Sequence, residues 1–430
     1  VVSRTHLTRH GAVRLGAVAV AAVIVAEGAV WLLRPRADSI PPATVSEQAY
    51  FSPAELERAS DFRDTQRLIG LAGLAVEGGV LVGLALWRPP ALRRALRVAS
   101  RRPILGGAAV GAGIALTLAV AGLPLGAVAH SRARDVGLST QTFAAWLGDQ
   151  GRAAGIAAVL AGIGGAGAIA LSRRLGRRFW IGGSVLVVVG AVVLIWLAPV
   201  VLAPIFNRFE PLPDGRTRSD VLALADRAGV SVGEVYRVDA SRRSTALNAY
   251  VDGIGTTKRV VIYDNALEEL RPGELNSVVA HELAHVEEDD ILRGLAFLAL
   301  VAPLGVLFAQ LSAQELTRRS GDDIRTPAGL PALALTAAVA ALILGVPGNQ
   351  LSRAVESRAD TFALELTRDP SALIDLQKRL AVTNVGDPDP PSVLHFLFGT
   401  HPTTMERIGA AVTYHRGDRT AAGSHPAPGG

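Results

Sequence analysis

Five consecutive residues, His281-Glu282-Leu283-Ala284-His285, carry the chemistry that the rest of the chain must position. On a helix, positions i and i+4 share a face about one turn apart. Two imidazoles at that spacing converge on one point, and Glu282, from the same turn, reaches a water held there. Such a set supplies two ligands for zinc and a general base for the water it activates. The alternative is a pair of solvated histidines on a polar helix. With 9 His in 430 residues, a chance H-E-x-x-H occurs in on the order of one in a hundred chains of this composition. The zinc reading is therefore preferred, with one ion per chain.

A catalytic zinc takes three protein ligands and keeps one position open. Downstream, Glu356 and Asp360 sit at i and i+4 in the stretch Ser352-Arg353-Ala354-Val355-Glu356-Ser357-Arg358-Ala359-Asp360. Glu356 is the candidate third ligand. Asp360, one turn on, is the candidate acceptor for the free N–H of a ligand histidine. The other reading of the same residues is an exposed acidic helix face paired with Arg353 and Arg358.

The elements that must hold these groups are mostly apolar. Half of the chain is hydrophobic and its mean hydropathy is +0.33, which points to several membrane spans. Seven apolar stretches approach the roughly 20 residues that a helical span needs, at 15–33, 68–87, 103–128, 153–171, 179–202, 291–311 and 330–349. The first is too long for most signal-peptide cores and reads as a retained span. Pro347 and Gly348 are expected to kink or shorten the last. The net charge of +5 is small for this length, and the Arg residues cluster in short runs between apolar blocks. That pattern fixes membrane orientation and excludes a nucleic-acid stripe. There is no Cys, hence no disulfide framework and no thiolate chemistry.

Between the fifth and sixth spans the chain is mixed in character. A helix over 220–228 is expected, with Ser219 as cap and Gly229 as stop. Short strands are expected at 235–238, 247–251 and 259–263, the last two joined as a hairpin through Gly253-Ile254-Gly255. A helix begun at 266–270 is expected to be interrupted by Pro272. The motif helix is expected over 274–290, running directly into the sixth span. A further amphipathic helix is expected over 351–367. The organisation read from this is a five-span region (1–202), a catalytic segment (203–290), two further spans (291–351), a second catalytic segment (352–416) and a Gly/Pro/Ala-rich disordered tail (417–430). Glu27 and Glu77 lie inside apolar stretches, which points to a water-filled cavity or a polar partner.

With these residues in view, the chain resembles the integral-membrane zinc metalloproteases of the type I CAAX prenyl protease group. The likeness rests on an ordered set of motifs: Ala203-Pro204-Ile205-Phe206-Asn207, Asn248-Ala249-Tyr250, Lys258-Arg259, the motif at 281, the E-x-x-x-D at 356, and Thr400-His401-Pro402 with Arg407. The upstream 51–67 segment and the Gly137-Leu138-Ser139 turn also fit, so it covers about residues 50–410. It implies a mainly α, seven-span helical barrel enclosing a chamber, with a zincin-like catalytic domain that carries a small β-hairpin or sheet. It also implies that Asn248, Ala249 and Tyr250 lie on a sheet edge that binds extended substrate. His401 is the implied donor to the developing oxyanion. Arg407 is expected to hold a substrate carboxylate or carbonyl, or an acidic neighbour such as Asp360.

Three departures bear on substrate preference. Ala246 stands where such proteases often have His, Ala284 replaces a common Gly, and Glu287-Glu288-Asp289-Asp290 follows the motif where an aromatic residue and a further His are frequent. The expected function is membrane-embedded zinc endopeptidase action on membrane-associated or lipidated peptides. The expected protein is a monomer in the cell membrane, with a bilayer and a peptide as partners and no nucleic acid. The alternatives are an HtpX-like quality-control protease, or a transporter or scaffold with a non-catalytic zinc site. The Arg-rich short loops share the side of the N-terminus, which places the catalytic side outside the cytoplasm, whereas the resemblance to eukaryotic members implies a cytosolic face.

Overall fold

The computed structural model describes residues 9–253 and 258–423. Its helices in chain order begin with α1 (Arg9–Leu33), α2 (Pro53–Leu86), α3 (Pro90–Ala99), α4 (Pro103–Asp135), α5 (Phe143–Leu175), α6 (Phe179–Leu197) and α7 (Ala203–Phe206). The catalytic segment contributes α8 (Arg216–Arg227), α9 (Asp264–Glu269) and α10 (Pro272–Glu287), and four strands, β1 (Phe209–Pro211), β2 (Glu234–Val238), β3 (Ala249–Asp252) and β4 (Arg259–Tyr263). Then come α11 (Asp290–Ser320), α12 (Leu330–Thr367), α13 (Pro370–Thr383), α14 (Ser392–Phe398) and α15 (Thr404–Gly423).

Among the described residues six stretches, not seven, are long and apolar enough to cross a bilayer: Gly11–Leu33, Pro53–Leu86, Pro103–Asp135, Phe143–Phe206, Asp290–Arg318 and Pro327–Thr367. The expected fourth and fifth spans fall in one continuous helical stretch, Phe143–Phe206. Its α-helix is interrupted at Gly176, whose φ of +55° lies outside the right-handed helical region, and again by a π-helical turn at Ala198–Leu202. The expected separate helices at 330–349 and 351–367 are likewise one helix, α12, with Pro347 inside it. Pro removes one backbone hydrogen bond, but α12 packs along α1, α2, α10 and α11, and that burial holds it continuous.

Two long helices, α4 and α5, make the closest approach in the membrane region. Gly107 and Gly111 of α4 lie against Gly165 and Ala161 of α5, so near that an added Cβ at Gly111 or Gly165 would strike the facing backbone carbonyl. Absence of side chains lets two backbones meet this closely, which is how helices associate where lipid removes the hydrophobic drive. The helix α2 continues well beyond a bilayer's needs. Ser52 and Glu55 cap it reciprocally, and Pro53 stands in its first turn. Its polar first half reaches the catalytic segment, where Arg63 donates to the carbonyls of Val385 (2.6 Å) and Asn384 (2.7 Å).

The strands form a four-stranded sheet in the order β1-β2-β4-β3. β3 and β4 pair antiparallel, as expected for the hairpin, and β2 pairs parallel to β4. Residues 254–255 of the expected turn lie outside the described residues. The centre of β4, Val260-Val261-Ile262, is apolar because both faces are covered there. Val260 and Ile262 face the main core with Val279 and Leu283 of α10. Val261 faces a second cluster with Val238 and Ala240, flanked by Tyr250. The Gly137-Leu138-Ser139 turn, with Gly137 at φ +76°, bonds the segment leading into β3: Thr245 N–H donates to the Leu138 carbonyl at 3.0 Å. β3 is thereby tied to the membrane helices.

Local boundaries differ from the sequence expectation in informative ways. Helix α8 starts at Arg216, not Asp220, because Arg218 finds Asp214 (3.2 Å) and Glu234 (3.0 Å). Pro272 does not interrupt a helix; it opens α10 at a position where its missing N–H costs nothing. Helix α10 does not run to 290. It stops at Glu287, and Asp289 takes the left-handed conformation (φ 55°, ψ 39°) before α11 begins. The tail expected to be disordered from 417 is helical as far as Gly423.

Candidate metal centre

α10 is enclosed on several sides. Leu275, Val279, Ala280, Leu283 and Ala284 are buried, and the Glu274 carboxylate in its first turn is held by Arg379 Nε at 3.1 Å from both oxygens. Ala284 has no exposed surface, so the position requires a small side chain. A helix fixed in this way presents His281 and His285 with ring centroids 5.0 Å apart and planes at 87°.

α12 supplies the facing carboxylates. Glu356 Oε2 lies 3.1 Å from His281 Nε2, and its Oε1 lies 3.7 Å from His285 Nε2 and 3.3 Å from His401 Nε2. One carboxylate thus sits among three imidazoles. Asp360 is not a surface group: it is 2% exposed, and its Oδ1 is 2.9 Å from His281 Nδ1. The alternative of an acidic face paired with Arg353 and Arg358 is not found. Arg358 turns to Glu288 (2.9 Å) and Glu365 (3.3 Å). Arg353 donates to the Gly399 carbonyl at 2.5 Å, holding the loop that bears His401.

Arg407 engages Asp360 with two nitrogens, Nε to Oδ2 at 2.8 Å and Nη2 to Oδ1 at 2.5 Å. Of its two expected partners, the structure brings it to the acidic neighbour. His401 is exposed, and its Nδ1 lies 2.9 Å from Thr400 Oγ1. Its backbone carbonyl is 2.8 Å from His395 Nε2. Asn248 is exposed just before β3, with its Oδ1 accepting from the Ala249 N–H at 3.0 Å. Ala249 is buried in the main core, and burial pushes the Tyr250 phenol up to about 12. β3, which carries Ala249 and Tyr250, packs on α10.

The donor set fits a metal ion. His281, His285 and Glu356 each offer a ligand atom, all within 4.8 Å of one another. Each imidazole has its Nδ1 engaged elsewhere, by Asp360, Asp290 or Thr400, which leaves the Nε2 atoms for the centre. Burial works against protonated His281, but hydrogen bonds to Asp360 and Glu356 outweigh it and hold the imidazole at about 9. An incoming cation must displace that proton. For Glu282, burial pushes the carboxyl above its ordinary range while the two histidines pull the other way. A carboxylate moved toward neutrality in this manner is suited to receive a proton and return it.

Sequence reasoning missed Asp290 and Arg293. Asp290 Oδ2 lies 2.9 Å from His285 Nδ1, and Arg293 Nε donates to Asp290 Oδ1 at 2.9 Å. The signal was an Asp five residues after the second histidine with an Arg three further on. No Gly or Pro marks the break, so the sequence there is equally that of a continuing helix.

Comparison with known proteins identifies the family of the chain. The family model for peptidase family M48 matches residues 211–415, and the one described as CAAX prenyl protease N-terminal, five membrane helices, matches 41–208. A relative from Bacillus subtilis described as uncharacterized metalloprotease YhfN is 32% identical over 66% of this chain and 68% of its own. CAAX prenyl protease 1 of Saccharomyces cerevisiae is 29% identical over 50% of this chain and 51% of its own. The rice CAAX prenyl protease 1 homolog is 32% identical over 51% and 52%. The chain spans about half the length of these two eukaryotic relatives. The crystal structure of S. mikatae Ste24p superposes with a TM-score of 0.76 at 18% identity, covering 95% of this chain and 100% of that one, which shows a shared fold.

Proposed function

Because this chain belongs to peptidase family M48 and is a membrane metalloprotease of the CAAX prenyl protease type, we propose that its metal is zinc, one ion per chain, held by His281, His285 and Glu356. We propose further that it cleaves peptide bonds in membrane-associated or lipidated peptides and proteins. The observation that carries this reading is the meeting of three ligand atoms within 4.8 Å on helices that lead into or out of apolar spans. All the donors come from one chain, so a monomer suffices.

A zinc ion held by His281, His285 and Glu356 would supply Lewis acidity toward a peptide carbonyl and a bound water. Glu282 takes the proton from the attacking water and delivers it to the leaving amine. His401, exposed at the mouth of the centre, donates a hydrogen bond to the oxyanion. Arg407 acts through Asp360: it fixes the carboxylate that keeps His281 Nδ1 engaged. β3 ends the sheet, so an extended substrate can add to it through backbone hydrogen bonds, with Asn248 at its start and Ala249 and Tyr250 along it.

The test is removal and return of the metal. Treatment of the purified protein in detergent with a strong chelator abolishes cleavage of a fluorogenic membrane-anchored peptide, and stoichiometric zinc restores it. Undiminished cleavage by demonstrably metal-free protein would end the proposal.

We place the catalytic side outside the cytoplasm. The chain carries three Arg before the first apolar stretch, six at 88–102 and four at 173–178, all in short segments on the N-terminal side of a seven-crossing arrangement. In that arrangement the 64-residue stretch Phe143–Phe206 crosses twice, since one straight helix of that length would reach about 96 Å, three times the bilayer core. A reporter that folds only outside the cytoplasm, fused after Gly423, should be active. An active cytoplasmic reporter at the same point contradicts the assignment.

A further inference from the structure

The break between α10 and α11 brings a further carboxylate to the ligand histidine His285. Asp289, at φ 55° and ψ 39°, adopts a left-handed conformation that costs a non-glycine residue roughly 1 kcal/mol. Asp is among the residues that tolerate it. Were α10 continuous, Asp290 would stand five positions beyond His285 and about 140° around the helix from it, too far round to meet the imidazole. The reset at Asp289 restarts the helix so that Asp290 Oδ2 comes to 2.9 Å from His285 Nδ1. Its other oxygen, Oδ1, accepts from Arg293 Nε at 2.9 Å.

Arg293 is itself anchored on two sides. Its Nη1 donates to the Leu33 carbonyl at the end of α1 (2.7 Å), and its Nη2 donates to the Glu288 carbonyl (3.1 Å). Glu288 in turn is bound by Arg358 of α12 at 2.9 Å. Two residues of the acidic run after the motif, Glu288 and Asp290, therefore form an internal clasp on the end of α10. Side-chain exposures of 12% for Asp290 and 17% for Arg293 place the pair out of bulk water.

The same construction occurs on the other ligand. Arg407 holds Asp360, and Asp360 holds His281 Nδ1. The two ligand histidines thus each have an Arg-fixed aspartate, supplied by different helices. An acidic residue in the first turn of α11 is favourable with the helix dipole in any case. The dipole, however, gives no reason for one oxygen to face His285 Nδ1 or for a strained residue to precede it.

We propose that Asp290 is a positioning residue for the metal: it keeps the proton of His285 on Nδ1 and aims Nε2 at the centre. This rests on the metal-centre reading above. The test uses the full chain in detergent, comparing wild type with Asp290→Ala, Asp290→Asn and Asp290→Glu. The readouts are zinc affinity by chelator competition and the visible absorption of the cobalt(II)-substituted protein. Asp290→Ala should weaken metal affinity about 10–100-fold and shift the cobalt bands. Asp290→Asn, which still accepts from Nδ1 but carries no charge, should fall between it and wild type. Asp290→Glu should recover part of the loss. A folded Asp290→Ala protein with wild-type affinity and an unchanged cobalt spectrum overturns the proposal. If Asp290→Ala does not fold, Asp290→Asn decides in the same terms. Wild-type protein that takes up no metal removes the metal-centre reading and this role with it. One metal in wild type, with unchanged variants, removes the role of Asp290 alone.

Discussion

Replacing Glu282 by glutamine lowers kcat/KM for peptide cleavage by about 10^2- to 10^4-fold, the range that general acid–base catalysis supplies, and leaves the metal in place. The side chain is nearly isosteric, so the packing of α10 between the sheet and α12 is undisturbed. What disappears is the capacity to accept a proton in a site where burial already moves the carboxyl upward. Glu282 does not belong to the cluster of His281, His285 and Glu356 that could hold an ion, so metal content should equal that of wild type. Metal analysis and single-turnover cleavage on the same preparation provide the check. Wild-type turnover in this variant would exclude Glu282 as the base. Loss of the metal would instead make it a ligand.

The second large effect is on the metal itself. Glu356→Ala should reduce zinc affinity by more than the 10–100-fold typical of changes to groups that only orient ligands. The substitution removes one of three donors and also the one negative charge set among His281, His285 and His401. Those rings then face one another with no carboxylate between their Nε2 atoms, so the remaining pair of histidines holds a cation poorly. Glu365, exposed and bound to Arg358 at 3.3 Å on the same helix, serves as the control, because Glu365→Ala should keep full metal. Stoichiometric zinc in Glu356→Ala after dialysis would rule Glu356 out as a ligand.

How much of this was readable beforehand varied with the kind of signal. The motif helix, the pairing of Glu356 with Asp360 and the hairpin were legible because each rests on short-range periodicity: four residues on a helix, two on a strand. That Asp360 and Glu356 are buried and face the histidines was a matter of tertiary packing, and the neighbouring Arg353 and Arg358 made a surface ion-pair face equally consistent with the residue types. The short strand β1 has only three residues, Phe209–Pro211, and contains a Pro, so it offered no pattern. The continuity of α12 through Pro347 depends on the helices packed along it. For Arg407 the sequence context does not distinguish a substrate group from an acidic neighbour as partner.

The stop at Asp289 was the least legible feature and the most consequential. A run of four acidic residues, Glu287 to Asp290, normally reads as a solvated helix end. Here Glu288 and Asp290 are bound by Arg358 and Arg293, so two of the four organise the protein's own interior.

The sheet edge has a consequence for what the protein could process. β3 is four residues long, Ala249–Asp252, and lies at the end of the sheet. A partner that pairs with it must offer unsatisfied backbone N–H and C=O groups. A segment that remains helical in lipid has already satisfied them internally, and presents nothing for β3 to hold. Recognition of this sort would sort candidates by the free energy of local unwinding before any side chain is inspected. Frayed chain ends and unravelled stretches would be admitted, and intact transmembrane helices spared.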